Sequence, residues 1–241
     1  MSGEYMANTL SISESRARVV NTPTPTRILV ANAKGGSGKT TVATNLSSLY
    51  ASRDEQCALI DFDPQGSAAQ WLQLRQNARK KIHGVSAYKK ATGHVTRTWY
   101  LRNLPPNTSK VVIDTPAGLS GMLLNDLVRE CDFIIIPVTP SPIDIRATTF
   151  FIKELFLSAA YRSSNKKVAV VANRVRKNTL VYSKLELFLK SLKIPFVSTI
   201  RDTQYYIRAS EYGLGIHDLQ NAQKKDLGDW QKLVDWIDEN T

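Results

Sequence analysis

Short apolar runs recur along the chain and alternate with longer segments in which apolar residues follow a helical spacing. Five runs are rich in β-branched and other apolar residues, which is typical of buried strands. They are residues 27–33, 57–61, 111–118, 132–137 and 168–173. Residues 40–51 lack Gly and Pro and place Val42, Leu46 and Leu49 at helical spacing. This alternation, continued over most of the 241 residues, predicts one α/β domain.

The amino-terminal segment does not share this pattern. Residues 1–26 are rich in Ser, Thr, Asn and Arg and end in Thr-Pro-Thr-Pro-Thr. Such a composition cannot bury much apolar surface, so it predicts a flexible tail, followed by a domain over residues 27–241. We interpret the tail as an inert extension, with a partner-binding arm as the alternative.

A glycine-rich loop joins the first predicted strand to the first predicted helix. Within residues 33–41, Gly38, Lys39 and Thr40 match the end of the phosphate-binding pattern G-x-x-x-x-G-K-[ST]. Backbone amides of such a loop hold phosphate, and the positive end of the following helix faces it. The sequence therefore predicts a nucleotide site. Its predicted binding residues are Gly35, Gly36, Ser37, Gly38, Lys39, Thr40 and Thr41.

The loop departs from the ordinary pattern at two positions. Ala33 stands where the first glycine is expected, and Lys34 precedes the Gly35-Gly36 pair. The form K-G-G-x-G-K-[ST] resembles the deviant Walker A loop of the ParA/MinD family of dimerising ATPases. The resemblance implies a P-loop NTPase fold, a twisted, mostly parallel sheet with helices on both faces. It also implies ATP and Mg²⁺ as cofactors.

A second segment places a carboxylate at the end of a strand. In Asp61-Phe-Asp63-Pro-Gln-Gly66, Pro64 and Gly66 end the strand and leave Asp63 at its carboxyl end. Ligands bind at that edge in open α/β sheets. The segment resembles the family's D-x-D-P-Q-G motif, which implies that Asp63 positions or activates the attacking water. A plain turn carboxylate is the alternative.

A third apolar strand ends in Asp114 and continues as Thr115-Pro-Ala-Gly118. It resembles a Walker B strand, in which the carboxylate holds Mg²⁺ directly or through water while Thr40 donates its hydroxyl. The segment after Asp114 is then similar to the one that senses the γ-phosphate. A helix-capping role for Asp114 is the alternative.

Three later features extend the resemblance. Residues 139–144 resemble the family's P-S-P-x-D segment, and residues 207–218 resemble its carboxyl-terminal motif. Asn173 ends a strand where relatives use Asn to contact the purine, although Asn also ends strands for reasons of turn geometry. Five ordered motifs over roughly residues 27–220 thus carry the likeness.

The extra lysine has a particular meaning in that family. The resemblance implies that Lys34 reaches across a face-to-face homodimer to the partner's nucleotide. A cation supplied in trans stabilises charge on the transferred phosphoryl group, as an arginine finger does. We therefore expect ATP-dependent dimerisation and slow basal hydrolysis, with Lys34, Lys39 and Asp63 as the catalytic residues.

Charge adds a second expectation. The net charge is +11, and two stretches contain no Asp or Glu: residues 75–110 with nine Lys or Arg, and residues 155–185 with seven. A basic surface is typical of nucleic-acid binding, and without a helix-turn-helix or zinc-finger pattern we expect nonspecific contact with double-stranded DNA. The candidate contacts are Arg174, Arg176, Lys177, Arg201 and Arg208, with Lys80, Lys81, Lys89 and Lys90.

A MinD-like membrane-associated ATPase is the main alternative. Residues 227–239 predict an amphipathic helix whose polar face, including Asp226 and Asp229, is acidic and would be repelled by anionic lipid. We expect this helix to dock on the protein's own sheet or on a partner. No apolar run is long enough to predict a membrane span or a signal peptide, so we expect a cytoplasmic, nucleoid-associated protein without membrane contact.

Other ATPases with this loop fit less well. Cys57 and Cys131 are isolated in apolar runs, which indicates core residues and disfavours an iron–sulfur protein. The last 25 residues contain no Tyr, which disfavours a bacterial tyrosine kinase. A binding module that has lost hydrolysis is disfavoured because Lys34, Lys39, Asp63 and Asp114 are all present.

The family resemblance also implies a partner that controls the cycle. A ParB-like or cargo-specific adaptor would stimulate hydrolysis and release the dimer from DNA. The cargo would be a plasmid, a chromosome origin, a carboxysome or a chemoreceptor array, and the sequence does not choose among them.

Overall fold

The computed structural model describes residues 24–75, 80–88 and 98–241. Seven strands form one sheet in the order β3-β2-β4-β1-β5-β6-β7, and all neighbouring pairs are parallel. The strands are β1 (Thr26–Val30), β2 (Cys57–Asp61), β3 (His83–Ser86), β4 (Lys110–Asp114), β5 (Phe133–Val138), β6 (Lys167–Val175) and β7 (Phe196–Arg201). The predicted parallel α/β sheet is confirmed.

Helices cover both faces of this sheet. They are α1 (Lys39–Ser52), α2 (Ser67–Arg75), α3 (Gly121–Glu130), α4 (Pro142–Leu157), α5 (Ala159–Arg162), α6 (Leu180–Ser191), α7 (Gln204–Glu211) and α8 (Lys224–Glu239). Apolar residues of α1, α2, α7 and α8 belong to one core, and those of α3, α4, α5 and α6 belong to the other. Helices on both faces, as predicted, are therefore confirmed.

The central strands are apolar on both sides because each side faces a core. In β1, Ile28 and Val30 pack under α1, whereas Leu29 packs toward the α3 and α4 layer. This alternation follows from the two-residue period of a strand. The continuous apolar runs in the sequence are the consequence, and they mark the interior of a parallel sheet.

Two strands were not predicted from the sequence. β3 is four residues long, with two exposed and two half-buried residues, and β7 has an alternating burial pattern at the opposite edge of the sheet. Edge strands lack the continuous apolar run on which the prediction relied. Residues 1–23 of the predicted tail lie outside the described residues, and β1 begins at Thr26, one residue before the predicted domain start.

The acidic face predicted for the last helix is partly wrong. Asp226 and Asp229 are buried rather than on the solvent face. Asp226 accepts two hydrogen bonds from Arg201 on β7, at 2.5 and 2.8 Å, and the Asp229 carbonyl accepts one from Ser198. α8 therefore docks on the protein's own sheet, which was one of the two expected arrangements. In the described ranges, no helix is long and apolar enough to cross a membrane.

Candidate nucleotide-binding site

The glycine-rich loop lies between β1 and α1, at the carboxyl edge of the sheet. Gly36 and Gly38 have φ values of 78° and 91°, a left-handed conformation that favours glycine. Gly38 is restricted a second time, since a Cβ there would lie 1.8 Å from Nδ2 of Asn173. That Nδ2 donates to the Ser37 carbonyl at 3.0 Å. Glycine at 38 therefore permits both the turn and the approach of β6.

Lys39 is the cation at the centre of the loop. Its side chain is buried, and Nζ donates to the Lys34 carbonyl at 3.2 Å. Burial lowers the pKa of Lys39, while the charges of Asp114 and Asp63 oppose that shift. None of the described carboxylates forms an ion pair with this desolvated ammonium group, which is therefore suited to an incoming phosphate.

Asp114 and Thr40 form a hydrogen-bonded pair near Lys39. The Thr40 hydroxyl donates to Oδ2 of Asp114 at 2.7 Å, whereas Oδ1 is buried and has no hydrogen-bond partner among the described residues. Burial raises the pKa of Asp114 to about 7. The Ser37 hydroxyl is also buried and unpaired within the described ranges. Unsatisfied buried oxygens of this kind indicate a polar ligand.

This donor set fits Mg²⁺ only together with a nucleotide. Within residues 24–75, 80–88 and 98–241, no group of three or more His, Cys, Asp or Glu side chains could hold a metal ion. Mg²⁺ is commonly held by one or two protein oxygens, with phosphate and water supplying the rest. Thr40 and Oδ1 of Asp114 can provide that protein share.

Asp63 lies half-buried in the turn after β2. Its Oδ1 accepts from the Gln65 amide at 3.0 Å, and its carbonyl accepts from the Gly66 amide at 2.8 Å. The fully buried Asp61 fixes this turn, because its two oxygens accept from the amides of Asp63 and Ala69, each at 2.9 Å. Burial raises the pKa of Asp61. Its role was missed from the sequence, although the D-x-D spacing contained the signal.

Lys34 lies at the rim of the site and not inside the loop. Its side chain is 37% exposed, and Nζ is 3.8 Å from Oδ1 of Asp144, in the first turn of α4. The Thr139 hydroxyl also donates to Asp144. The two loop lysines therefore differ in position, since Lys39 lies inside the phosphate loop and Lys34 at its edge.

A cavity of about 630 Å³ adjoins the loop. It is bordered by Thr40 and Thr41 of α1, by Asn173 at the end of β6, and by Thr203 and Tyr206 at the start of α7. This volume suits a base and ribose. Both ends of the Asn173 amide are already engaged, since Oδ1 accepts from the Arg174 amide at 2.9 Å. Its contact with a purine stays a prediction.

The predicted DNA contacts fall into three groups. Arg174, Lys177 and Arg208 are exposed, and the described part of the chain contains no ion pair for them. Arg176 pairs with Asp202 at 2.7 Å, and Arg201 is committed to the buried Asp226. The remaining candidates are Lys80, which pairs with Asp54, the exposed Lys81, and Lys89 and Lys90, which lie outside the described residues.

The charge of residues 75–110 had suggested a basic surface, but some of these cations are buried. Arg75 is buried and contacts Asp218, with Nη1 at 2.5 Å from Oδ2. Lys110 is also buried, and its Nζ lies 2.9 Å from Asp238. Both side chains are buried in ion pairs within the fold. The basic surface is therefore smaller than the number of Lys and Arg residues in the sequence indicates.

Comparisons with known proteins show the family to which the chain belongs. A model of the CobQ/CobB/MinD/ParA nucleotide-binding domain matches residues 28–216. Maintenance of carboxysome distribution protein A from Halothiobacillus neapolitanus is 32% identical over 80% of this chain and 87% of its own.

Solved structures share the fold. A plasmid partition protein from Borrelia burgdorferi bound to AMPPNP aligns with a TM-score of 0.68 and 18% identity, covering 90% of this chain and 100% of the other. Apo McdA from Cyanthece aligns with a TM-score of 0.70 and 15% identity, covering 88% and 99%. The chain therefore belongs to the CobQ/CobB/MinD/ParA family of nucleotide-binding proteins, with the P-loop NTPase fold of its ParA/MinD-type members.

Proposed function

We propose that this protein is an ATP-dependent, dimerising ATPase that binds DNA nonspecifically and positions or segregates a cargo. The observation that carries the proposal is the Thr40–Asp114 pair beside the buried Lys39, in which one carboxylate oxygen has no hydrogen-bond partner among the described residues. A relative whose name refers to carboxysome distribution supports a protein organelle as the cargo. A plasmid or a chromosome origin is the other cargo class.

Each side chain then has a role in hydrolysis. Lys39 and the loop amides bind the phosphates, and the cavity beside Thr41 accepts the base and ribose. Thr40 and Asp114 would hold Mg²⁺, which would supply neutralisation of the phosphate charge. Asp63 orients the attacking water from a turn that Asp61 holds in place.

The position of Lys34 supports the proposed dimerisation. In the chain alone its ammonium group lies near Asp144, partly exposed at the rim. In a two-fold dimer, the partner's triphosphate offers Lys34 a stronger anion than this single carboxylate. We propose that ATP therefore favours the dimer. A ParB-like or cargo-specific adaptor then stimulates hydrolysis, and the loss of ATP ends the dimeric state.

An Asp63→Ala variant tests the hydrolytic part. It is expected to bind ATP and remain dimeric, while hydrolysis falls at least about a hundredfold, because the group that orients water is missing. Light scattering with saturating ATP and a phosphate-release assay measure both properties. Asp235→Ala, which removes an exposed acid of α8, should behave like the wild type. A monomer with saturating ATP would contradict the proposal.

DNA binding is tested by reversing three exposed charges at the carboxyl edge of the sheet. Arg174→Glu, Lys177→Glu and Arg208→Glu together should weaken binding equally for unrelated duplexes. Each lost phosphate contact should lower the slope of log K against log salt by about 1. Fluorescence anisotropy at several salt concentrations, with dimerisation measured in parallel, provides the data.

Lys193→Glu supplies the control for that experiment, since Lys193 is exposed and precedes β7 at the opposite edge of the sheet. It should leave DNA binding close to that of the wild type. Unchanged affinity of the triple variant would exclude the three residues from the interface. Retention on DNA with ATP but not with ADP would separate this function from the MinD-like membrane alternative, and would support nucleoid association.

A further inference from the structure

Among the described residues, seven large apolar side chains lie exposed on the layer formed by α3 to α6, and five of them, on α4 and α6, share a regular spacing. On α4 they are Ile143, Phe150 and Leu157, with exposed fractions of 70%, 70% and 74%. On α6 they are Leu180 and Leu187, with exposed fractions of 83% and 69%. Exposed apolar residues are ordinary when scattered, but a contiguous set marks an interaction surface.

The spacing of these residues is regular. On each helix they recur every seven positions, which is two helical turns or about 10.5 Å. Each helix therefore presents one straight apolar row to solvent. α4 and α6 pack against each other and run in the same direction, because each connects neighbouring parallel strands of the sheet. The two rows are thus parallel.

The separation expected for rows on two packed helices suits a third helix. Packed helices have axes about 8–10 Å apart, and a helix with its side chains is about 10 Å wide. The surface between the rows is here called the α4–α6 groove. A third helix laid along it would contact apolar side chains from both rows at heptad spacing, the pattern by which helices recognise one another.

The groove carries positive charge between its apolar rows. Glu154 accepts a hydrogen bond from the Gly121 amide at 3.1 Å, so that side of α4 faces α3. Arg146 and Lys153 lie on the other side of the α4 row, toward α6. Lys184 lies between the two apolar residues of α6. All three cations are exposed, and the described part of the chain shows no ion pair for them.

The acids of the same two helices are already engaged. Asp144 is paired with Lys34, Glu154 caps the Gly121 amide, and Glu186 lies 3.3 Å from Lys190. The groove is therefore cationic as well as apolar. A partner surface that carries carboxylates would be attracted to it, and one that carries lysines would be repelled.

We propose that the α4–α6 groove binds an amphipathic helix of a partner protein, with apolar residues at heptad spacing and Asp or Glu on the same face. A lipid surface needs no repeat of seven, whereas two matched rows fit a single helix. The groove lies on the layer opposite α1, so it is separate from the base cavity. This interaction does not depend on hydrolysis.

A synthetic peptide of three heptads provides the probe. It has Leu at two positions in each heptad and Glu between them, and a matched peptide has Lys in place of every Glu. The full-length protein is expected to bind the Glu peptide at least about tenfold more tightly than the Lys peptide, which corresponds to about 1.4 kcal/mol. Isothermal titration calorimetry measures both affinities, with and without ATP.

Two variants locate the site. Phe150→Ser with Leu187→Ser removes one apolar side chain from each row. It should lower the affinity for the Glu peptide at least about tenfold. Lys153→Glu with Lys184→Glu should reverse the preference, so that the Lys peptide binds more tightly. Tyr212→Ser, which changes an exposed aromatic residue next to α7 on the other layer, is the control. Because all these residues are exposed, melting temperatures should stay close to that of the wild type.

Three outcomes would overturn the proposal. Equal binding of both peptides, or undiminished binding to the Phe150→Ser and Leu187→Ser variant, would show that the groove does not select an acidic helix. Sedimentation with anionic vesicles that is lost in this variant, without peptide binding, would assign the surface to lipid. Loss of the ATP-dependent dimer in the same variant would assign it to a second copy of the chain.

Discussion

Replacing Lys34 with Ala is expected to lower the rate of ATP hydrolysis by about a hundredfold or more, with little change in ATP binding by the single chain. The reason is positional. Lys39 lies inside the phosphate loop, whereas the Lys34 ammonium group lies at the rim, 3.8 Å from Asp144. A group at the rim can act on a nucleotide held by the partner. Phosphate release and binding of a fluorescent ATP analogue at low protein concentration measure the two quantities.

A mixing experiment decides whether Lys34 acts in trans. Lys34→Ala and Asp63→Ala are each expected to be inactive alone. In a mixed dimer, the site with an intact Asp63 receives Lys34 from the other chain, so part of the activity returns. If Lys34 acted within its own chain, both sites of the mixed dimer would remain defective and no activity would return. Lys153→Ala, an equal change of charge away from the site, should hydrolyse ATP normally.

The second large effect concerns stability. Asp218→Ala is expected to lower the free energy of unfolding by about 3–5 kcal/mol, because it leaves the Arg75 guanidinium buried without its anion. The two side chains are only 3% and 5% exposed. Asp218 also accepts hydrogen bonds from the Ser48 hydroxyl at 2.8 Å and the Gly215 amide at 2.9 Å. At about 2–4 °C per kcal/mol, the melting temperature should fall by about 6–20 °C.

Two comparisons separate this effect from a general loss of charge. Asp126→Ala, which removes an acid paired with the exposed Arg129, should change stability by less than about 1 kcal/mol. Arg75→Met combined with Asp218→Leu should recover much of the loss, because no charge then stays buried and unpaired. A single Asp218→Ala variant as stable as the wild type would contradict the expectation.

The same pair predicts a dependence on pH. Burial alone would raise the pKa of Asp218, but hydrogen bonds from Arg75, Gly215 and Ser48 lower it below its ordinary value. On acidification the unfolded chain therefore takes up this proton first. The contribution of ionised Asp218 to the free energy of unfolding is complete above about pH 4. It is lost as the pH falls through the lower pKa that Asp218 has in the folded state. Urea unfolding at several pH values should show that the wild type and Asp218→Ala differ less in their free energy of unfolding at acidic pH.

Much of the site was predictable because its chemistry is local in the sequence. The loop amides, Lys39 and Thr40 are contiguous, and a strand followed by glycines and a helix places them at a helix amino terminus, where anions bind. Asp63 and Asp114 follow strands of a parallel sheet, whose carboxyl ends lie along one edge. The family resemblance and the fold were therefore accessible before any coordinates.

The burial of charged residues, in contrast, could not be predicted from the sequence. Arg75 and Arg201 have no sequence feature that separates them from surface cations such as Lys177. Their partners, Asp218 and Asp226, lie 143 and 25 residues further along the chain. A count of charges cannot reveal such pairs, so the predicted basic surface was too large and the predicted acidic helix face was partly wrong.

By itself, the sequence determined the glycine-rich loop, the two carboxylates at the carboxyl ends of strands and the parallel sheet, because short-range patterns encode the backbone conformation that each requires. Only the tertiary structure decided which charges remain in solvent, that Asp61 holds the Asp63 turn, and that the apolar rows of α4 and α6 face outward. These properties depend on how distant segments meet. The folded chain satisfies some polar groups and leaves others, including the free oxygen of Asp114, unpaired among the residues that the structure describes.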